Sequence, residues 1–263
     1  MILFDSHAHY YDEKFGDGIS RAAVIEKIRT AGVKYVLNAG TNSETSRQAL
    51  ALAEENEGFF ASVGLHPEDI YEISDIEAAF AEIKALASHK KAVAIGEIGL
   101  DYHWHGENRE LQKYWFSRQL ALAEELALPV IVHDREAHGD CLETVLRFPK
   151  VKGVFHSFSG SRETAAELVK HGWYISFSGV ITFKNAARLA ELVPSIPDDR
   201  ILIETDCPYL TPHPFREQRN DSSYMLYTAE KAAELRKISP EALCEATVRN
   251  AVALFSKTGI TLP

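Results

Sequence analysis

Eight short apolar runs recur along the chain, and a stretch with apolar residues at helical spacing follows each of them. Near-continuous apolar strands that alternate with helices are typical of a parallel sheet covered on its outer face. Eight such units predict an α/β fold, a TIM (β/α)8 barrel that forms a single domain over residues 1–263. The runs are Ile2–Phe4, Val33–Asn38, Phe59–Val63, Ala92–Gly96, Pro129–Val132, Gly153–Phe155, Trp173–Phe177 and Ile201–Ile203.

The helices between these runs have recognisable starts and ends. Ser20 is expected to cap the first helix, and Gly32 lies at its end. Pro240 suits the first turn of the last helix, where a missing N–H costs nothing. The rival fold is a doubly wound open sheet. Because no Gly-rich phosphate-binding sequence follows the first apolar run, the pattern favours the barrel.

Composition narrows the class of protein. The chain is 46% hydrophobic and 25% charged, as in ordinary soluble globular proteins. Its three cysteines include no CxxC pair, which indicates reduced thiols, and no signal peptide or 18-residue apolar run is present. We therefore expect a cytoplasmic protein with no membrane partner and no evident obligate protein partner. The net charge of −10 disfavours generic binding to long nucleic acid.

Histidines and carboxylates follow the predicted strands. Residues i and i+2 of a strand share a face, so Asp5, His7 and His9 would point the same way if the first strand extends that far. The carboxyl ends of barrel strands converge on one mouth, so the polar residues at these ends should meet there. They are His7 and His9 at the first strand, His66 at the third, Glu97 and Asp101 at the fourth, His133 at the fifth, His156 at the sixth and Asp206 at the eighth.

This group of residues suits a metal centre. Nitrogen and carboxylate donors without thiolate favour zinc, manganese, iron or nickel, and magnesium if waters complete its shell. Four imidazoles and two carboxylates exceed one tetrahedral site, so we expect two divalent ions with Glu97 as the bridge. His103 and His105 imitate the His-x-His pattern, but no strand precedes them, and we expect ordinary loop residues there.

Seven stretches of the chain, read together, match one known family. They are Asp5–His9, Gly64–Glu68, Gly96–Tyr102, Pro129–Ala137, Phe155–Ser161, Ile201–Leu210 and Arg219–Asn220. In these stretches the chain resembles the TatD family of metal-dependent deoxyribonucleases, within the wider metal-dependent amidohydrolase superfamily. The resemblance implies one metal held by His7, His9, Glu97 and Asp206, and a second held by Glu97, His133 and His156. It also implies that Asp206 orients or deprotonates the attacking water and that His66 lies close to the scissile phosphate.

The activity implied by this resemblance is divalent-metal-dependent hydrolysis of DNA phosphodiester bonds, commonly in the 3′→5′ direction, with single strands or 3′ ends as substrate. Glu97, Asp206 and His66 are the candidate catalytic residues, and Arg135 and Arg219 could bind phosphate oxygens alongside His66. After Arg219–Asn220 the family often continues Glu-Pro, whereas this chain has Asp221 and Ser222, which leaves substrate preference open.

Two other functions compete with the nuclease. An amidohydrolase-type barrel could hydrolyse a small amide, lactone or phosphoester, but many such enzymes bridge their metals with a carboxylated lysine where this chain has Glu97. A barrel with a vestigial site would keep buried polar donors at a cost. The negative charge is compatible with a nuclease if two ions add about four positive charges locally and the footprint is confined to a DNA end.

Overall fold

The computed structural model describes residues 1–104 and 106–262, so His105 and the expectation attached to it lie outside the described residues. Eight parallel strands form one sheet in the order β1 to β8, and helices surround it. This arrangement confirms the predicted (β/α)8 barrel. The strands are β1 (Leu3–Ala8), β2 (Val33–Ala39), β3 (Phe59–Val63), β4 (Ala92–Asp101), β5 (Val130–Arg135), β6 (Gly153–Phe155), β7 (Tyr174–Phe177) and β8 (Ile201–Ile203).

The helices pack on the outside of the sheet, and a second apolar cluster fills the barrel interior. That interior cluster takes one or two buried residues from most of the strands, such as Phe4, Leu37 and Phe60, and the last helix, α9 (Pro240–Leu254), packs against it with Val248, Ala251 and Leu254. In the described part of the chain the α-helices are α1 (Gly18–Thr30), α2 (Ser43–Glu55), α3 (Ile76–Leu86), α4 (Arg109–Leu126), α5 (His138–Leu146), α6 (Arg162–Lys170), α7 (Ala187–Leu192), α8 (Met225–Arg236) and α9 (Pro240–Leu254).

The helix ends test the capping predictions. Pro240 occupies the first turn of α9, as predicted, and Ser239 caps that helix. The predicted cap of α1 is wrong: Asp17, not Ser20, is the capping residue. The Asp17 carboxylate accepts the backbone N–H of Ser20 at 2.9 Å, so Ser20 lies inside the first turn as the residue that needs the acceptor.

Two strands carry an extra residue at the positions that matter for the site. Between Asp5 and Ala8, β1 has one residue more than its partner β2, and β4 has one more than β5 between Ile95 and Ile98. A bulge of this kind interrupts the alternation of faces and redirects the side chain at the bulge. The two bulges include His7 and Glu97, respectively.

The bulge in β1 makes the expectation of a shared face for Asp5, His7 and His9 wrong. Asp5 is fully buried on the far side of the strand end, where it accepts hydrogen bonds from the Thr205 hydroxyl at 2.6 Å and the Ser222 hydroxyl at 2.5 Å. Burial raises the pKa of Asp5 to about 7, and these hydrogen bonds oppose the rise.

The seam between the last strand and the first lies just beyond β8. Ala8 bridges to Cys207, the backbone N–H of His9 donates to the Cys207 carbonyl at 2.8 Å, and that of Asp206 donates to the His7 carbonyl at 3.0 Å. The barrel is therefore closed through the backbone of the residues that line its mouth. None of the helices in the described part of the chain combines the length and apolar character needed to span a bilayer.

Candidate metal centre

An open cleft of about 1000 Å³ lies over the carboxyl ends of the strands. The predicted donors gather at this mouth: three of the six lie within strands, and His9, His156 and Asp206 lie in the segments that follow β1, β6 and β8. His7 belongs to β1, Glu97 to β4 and His133 to β5, because those strands run further than their apolar runs indicated. The rigid sheet therefore positions three of the donors, which is the more precise way to hold a site, and the segments directly after the strands position the other three.

The first donor cluster consists of His7, His9, Glu97 and Asp206. The two Nε2 atoms of His7 and His9 are 3.0 Å apart. Glu97 Oε2 lies 3.2 Å from His7 Nε2 and 3.8 Å from His9 Nε2. Asp206 Oδ1 lies 3.5 Å from His7 Nε2 and 3.2 Å from His9 Nε2. The two imidazoles are thus each approached by one oxygen of Glu97 and one oxygen of Asp206.

The second donor cluster consists of Glu97, His133 and His156. Glu97 Oε1 lies 2.8 Å from His133 Nδ1 and 2.8 Å from His156 Nε2, and those two nitrogens are 3.3 Å apart. The two oxygens of the buried Glu97 carboxylate are therefore divided between the clusters, Oε2 toward the first and Oε1 toward the second. A carboxylate in this position can bridge two ions.

The spacing of the donors fits small divalent cations. In a tetrahedral site with metal–ligand bonds of about 2.0–2.1 Å, neighbouring ligands are about 3.3 Å apart. The separations in the first cluster are 3.0–3.8 Å and those in the second are 2.8–3.3 Å. The donors are nitrogen and oxygen throughout, which suits zinc, manganese, iron or nickel. The residues present therefore fit the metals that the sequence implied.

The charges of the isolated side chains also depend on one another. Burial opposes ionisation of Glu97, but His156, His66 and His7 outweigh it and hold the pKa of this carboxyl well below its usual range. Burial and the neighbouring His156 lower the pKa of His7, which favours the neutral imidazole. A buried carboxylate surrounded by imidazoles is the charge arrangement that a divalent cation completes.

Carboxylates and carbonyls behind the histidines determine which ring nitrogen faces each cluster. His133 Nε2 lies 3.0 Å from Asp101 Oδ2, and His156 Nδ1 lies 3.2 Å from Glu204 Oε1. His9 Nδ1 lies 2.9 Å from the Ala39 carbonyl. Each contact places the ring proton on the outer nitrogen and leaves the inner nitrogen free to bind metal. His7 Nδ1 is buried and has no hydrogen-bond partner among the described residues.

His66 lies beside the second cluster, with its Nε2 3.3 Å from Glu97 Oε1. Its Nδ1 accepts the backbone N–H of Glu68 at 3.2 Å, so in the neutral ring the proton resides on Nε2. A nitrogen that carries a proton is a hydrogen-bond donor and not a ligand. Although His66, Glu68 and His133 are close enough to form another group of donors, this tautomer favours a donor role for His66.

The structure separates the two arginines proposed to bind phosphate. Arg135 is exposed and lines the cleft. Arg219 does not line it: its guanidinium donates to the Lys14 carbonyl at 2.9 Å and lies over the Phe15 ring at 4.8 Å. The geometry therefore places Arg219 against the segment between β1 and α1 rather than among the residues that line the cleft. His103 is a loop residue paired with Glu136 at 2.9 Å, as expected.

A family model described as TatD related DNase matches residues 4–256. The chain belongs to the TatD family. It is 43% identical over 257 residues to the uncharacterized metal-dependent hydrolase YabD of Bacillus subtilis, with 97% of this chain and 99% of that protein covered. It is 37% identical over 244 residues to the 3′-5′ ssDNA/RNA exonuclease TatD of Cronobacter sakazakii, with 90% and 92% covered.

Solved structures of other proteins share the fold of this chain. The crystal structure of YJJV, a TatD homolog from Escherichia coli K12, superposes with a TM-score of 0.90 at 29% identity and covers 97% of this chain and 98% of that chain. The family resemblance stated from the motifs is thus confirmed. The chain is a TatD family metal-dependent hydrolase.

Proposed function

We propose that this hydrolase cleaves phosphodiester bonds of DNA from a 3′ end and that it uses two divalent ions held by the two donor clusters. The observation that carries the proposal is the placement of the two Glu97 carboxylate oxygens. Oε2 faces His7 and His9, while Oε1 faces His133 and His156. Two ions about 3.5–4 Å apart favour in-line displacement at phosphorus. The exonuclease name of one relative supports a nucleic acid as substrate.

When bound, such ions supply positive charge at the reacting phosphate and make a water easier to deprotonate. The side chains of this chain do the rest. His7, His9 and Asp206 would hold one ion, His133 and His156 the other, and Glu97 both. Because Glu97 is buried between them, its position determines the separation of the two sites.

Asp206 is the candidate general base. Its Oδ1 faces His7 and His9, while the residue is partly exposed to the cleft, so that Oδ2 can accept a proton from the attacking water. Asp206 also has a backbone φ of 58°, a left-handed conformation that Asp tolerates better than most residues. Burial opposes ionisation, but the hydrogen bond to His9 together with the nearby charges of His7, His9 and His156 outweighs it and lowers the pKa of Asp206, so the base is available at neutral pH.

Two cleft residues would contact the phosphate. His66 presents its protonated Nε2 beside the second cluster and could donate to a non-bridging phosphate oxygen. The exposed guanidinium of Arg135 could bind a phosphate further along the strand. Neither side chain is needed to hold metal in this scheme. Substituting either one should therefore lower substrate binding and turnover more than it lowers metal content.

The test compares Glu97→Gln with Glu125→Gln, a matched change at an exposed glutamate that pairs with Lys84. Metal content and cleavage of a 3′-labelled single-stranded oligonucleotide are measured for both. We expect Glu97→Gln to lower the content of both ions and nearly abolish cleavage, while Glu125→Gln retains both. If Glu97→Gln binds two ions and cleaves DNA normally, the bridging role is refuted. If the metal-loaded native enzyme cleaves no nucleic acid but hydrolyses a small ester, the nuclease proposal is refuted.

A further inference from the structure

Two large aromatic side chains stand exposed at the rim of the cleft. Trp104 is 60% exposed and Tyr209 is 44% exposed, and both line the cleft that contains the donor clusters. Trp104 follows β4 and Tyr209 follows β8. In a closed barrel of eight strands taken in order, β4 and β8 are opposite each other. The segments that carry the two rings therefore leave the barrel from opposite sides of its mouth.

Local contacts hold both rings in place. The backbone N–H of Trp104 donates to Asp101 Oδ1 at 2.9 Å, and the edge of the indole meets the His103 ring with centroids 4.6 Å apart. The Tyr209 hydroxyl donates to Asp12 at 2.7 Å, and Lys14 Nζ lies 4.1 Å from the Tyr209 ring centre. Neither ring is packed into the core. Each is an exposed apolar surface of fixed position, which is the form that a stacking platform takes.

The charged side chains that line the cleft are mainly acidic, so binding of a nucleic acid there must rely on contacts other than ion pairs with phosphate. Among the described residues that line it, Arg135 is the one lysine or arginine, whereas the acidic side chains are Asp12, Glu68, Glu97, Asp134, Glu136 and Asp206. Binding through phosphate neutralisation needs several basic side chains. Beyond the ions themselves, this cleft offers a nucleic acid little positive charge. Stacking of bases on aromatic rings does not depend on net charge and supplies attraction of another kind.

We propose that Trp104 and Tyr209 stack on the bases that flank the scissile bond, one on each side. The inference rests on the proposed function, since it takes the cleaved phosphodiester to lie at the donor clusters. Bases of a duplex are already stacked and paired, so they reach such platforms only after unpairing. A single strand presents them directly.

The experiment uses the metal-loaded enzyme and two single-stranded oligonucleotides of equal length and charge, one with normal bases and one abasic at the positions flanking the first cleaved bond. Trp104→Ala and Tyr209→Ala are each expected to lower kcat/KM on the normal strand by about 5- to 150-fold, the range of base–aromatic stacking. On the abasic strand the same variants should match the native enzyme. Trp104→Phe and Tyr209→Phe keep a ring and should restore most of the activity on the normal strand.

Tyr114→Ala serves as the matched control, because Tyr114 is an exposed aromatic residue of α4 that does not line the cleft. It should behave as the native enzyme on both strands, and metal content should be equal in every variant. If the alanine variants lose the same factor on normal and abasic strands, or lose nothing on either, the stacking role is overturned while the proposed function stands. A native enzyme that cleaves neither strand overturns the proposed function and the stacking role together.

Discussion

Asp101→Asn tests whether the residue behind a candidate ligand controls metal affinity. Asp101 Oδ1 accepts the backbone N–H groups of His103 and Trp104 at 2.9 Å each, and Oδ2 faces His133 Nε2 at 3.0 Å. Burial opposes ionisation of Asp101, but the hydrogen bonds with His133 and with the Trp104 amide outweigh it and lower its pKa to about 2. Asp101 is therefore an anion at neutral pH.

Replacing the carboxylate by an amide preserves shape but puts an N–H₂ group opposite the N–H of His133, if the oxygen continues to accept the backbone amides. A hydrogen bond to a charged group contributes about 1.5–3 kcal/mol, which corresponds to about 10- to 150-fold in a binding constant. Carboxylates behind metal-binding histidines are typically worth about 10- to 100-fold. We therefore expect Asp101→Asn to lower the affinity for one of the two ions by about 10- to 100-fold.

Metal titration of the purified, metal-free protein measures this change, and the rate should recover when the metal concentration is raised by the same factor. The matched control is Asp134→Asn, which alters another buried carboxylate, paired with His138 at 2.8 Å on the adjacent strand and outside both clusters. Asp134→Asn should bind both ions as the native enzyme does. Native metal affinity in Asp101→Asn would refute the reasoning, because the orientation of His133 would then not depend on Asp101.

Three further outcomes are expected. Asp206→Asn should keep part of its metal but lose about 10²- to 10⁴-fold in rate, the usual contribution of a positioned base; near-native turnover at saturating metal would remove Asp206 from the mechanism. His66→Ala should retain both ions and lose rate, whereas loss of an ion would make His66 a ligand. A chelator should lower Tm by about 5–10 °C for each ion held at about 100 times its Kd, since each such ion adds about 2.7 kcal/mol. Calorimetry with zinc-saturated chelator is the control, and an unchanged Tm would contradict the metal centre.

Much of the fold and of the donor set could be predicted from local pattern. Each of the eight strands appears where an apolar run was found, because a strand buried on both faces must be apolar throughout. The donors could be recognised because they follow those runs, and the barrel brings all strand ends to one mouth. The spacing of apolar residues was sufficient to predict the strands, and the positions of polar residues after the apolar runs were sufficient to predict the donors.

Features that depend on distant contacts could not be predicted in the same way. The orientation of Asp5 was misjudged because the bulge in β1 arises from pairing with β2, which leaves no local sign. Glu204 was missed because its partner His156 is distant in sequence, although its place directly after β8 was a usable signal. Arg219 was assigned to substrate, but its partners Lys14 and Phe15 lie about 200 residues away and are visible only in the folded chain.

Because the barrel closes between β8 and β1, the residues of the two donor clusters become available at different times during synthesis of the chain. Glu97 and His133 lie in β4 and β5 and His156 directly follows β6, all in the middle of the chain, so the second cluster is complete in sequence long before the chain ends. The first cluster needs His7 from the beginning and Asp206 from the far end, where their backbones meet at 3.0 Å. An ion held there would link the first strand synthesised to the last. It could bind with all its ligands only after the eighth strand has paired with the first and the barrel is closed.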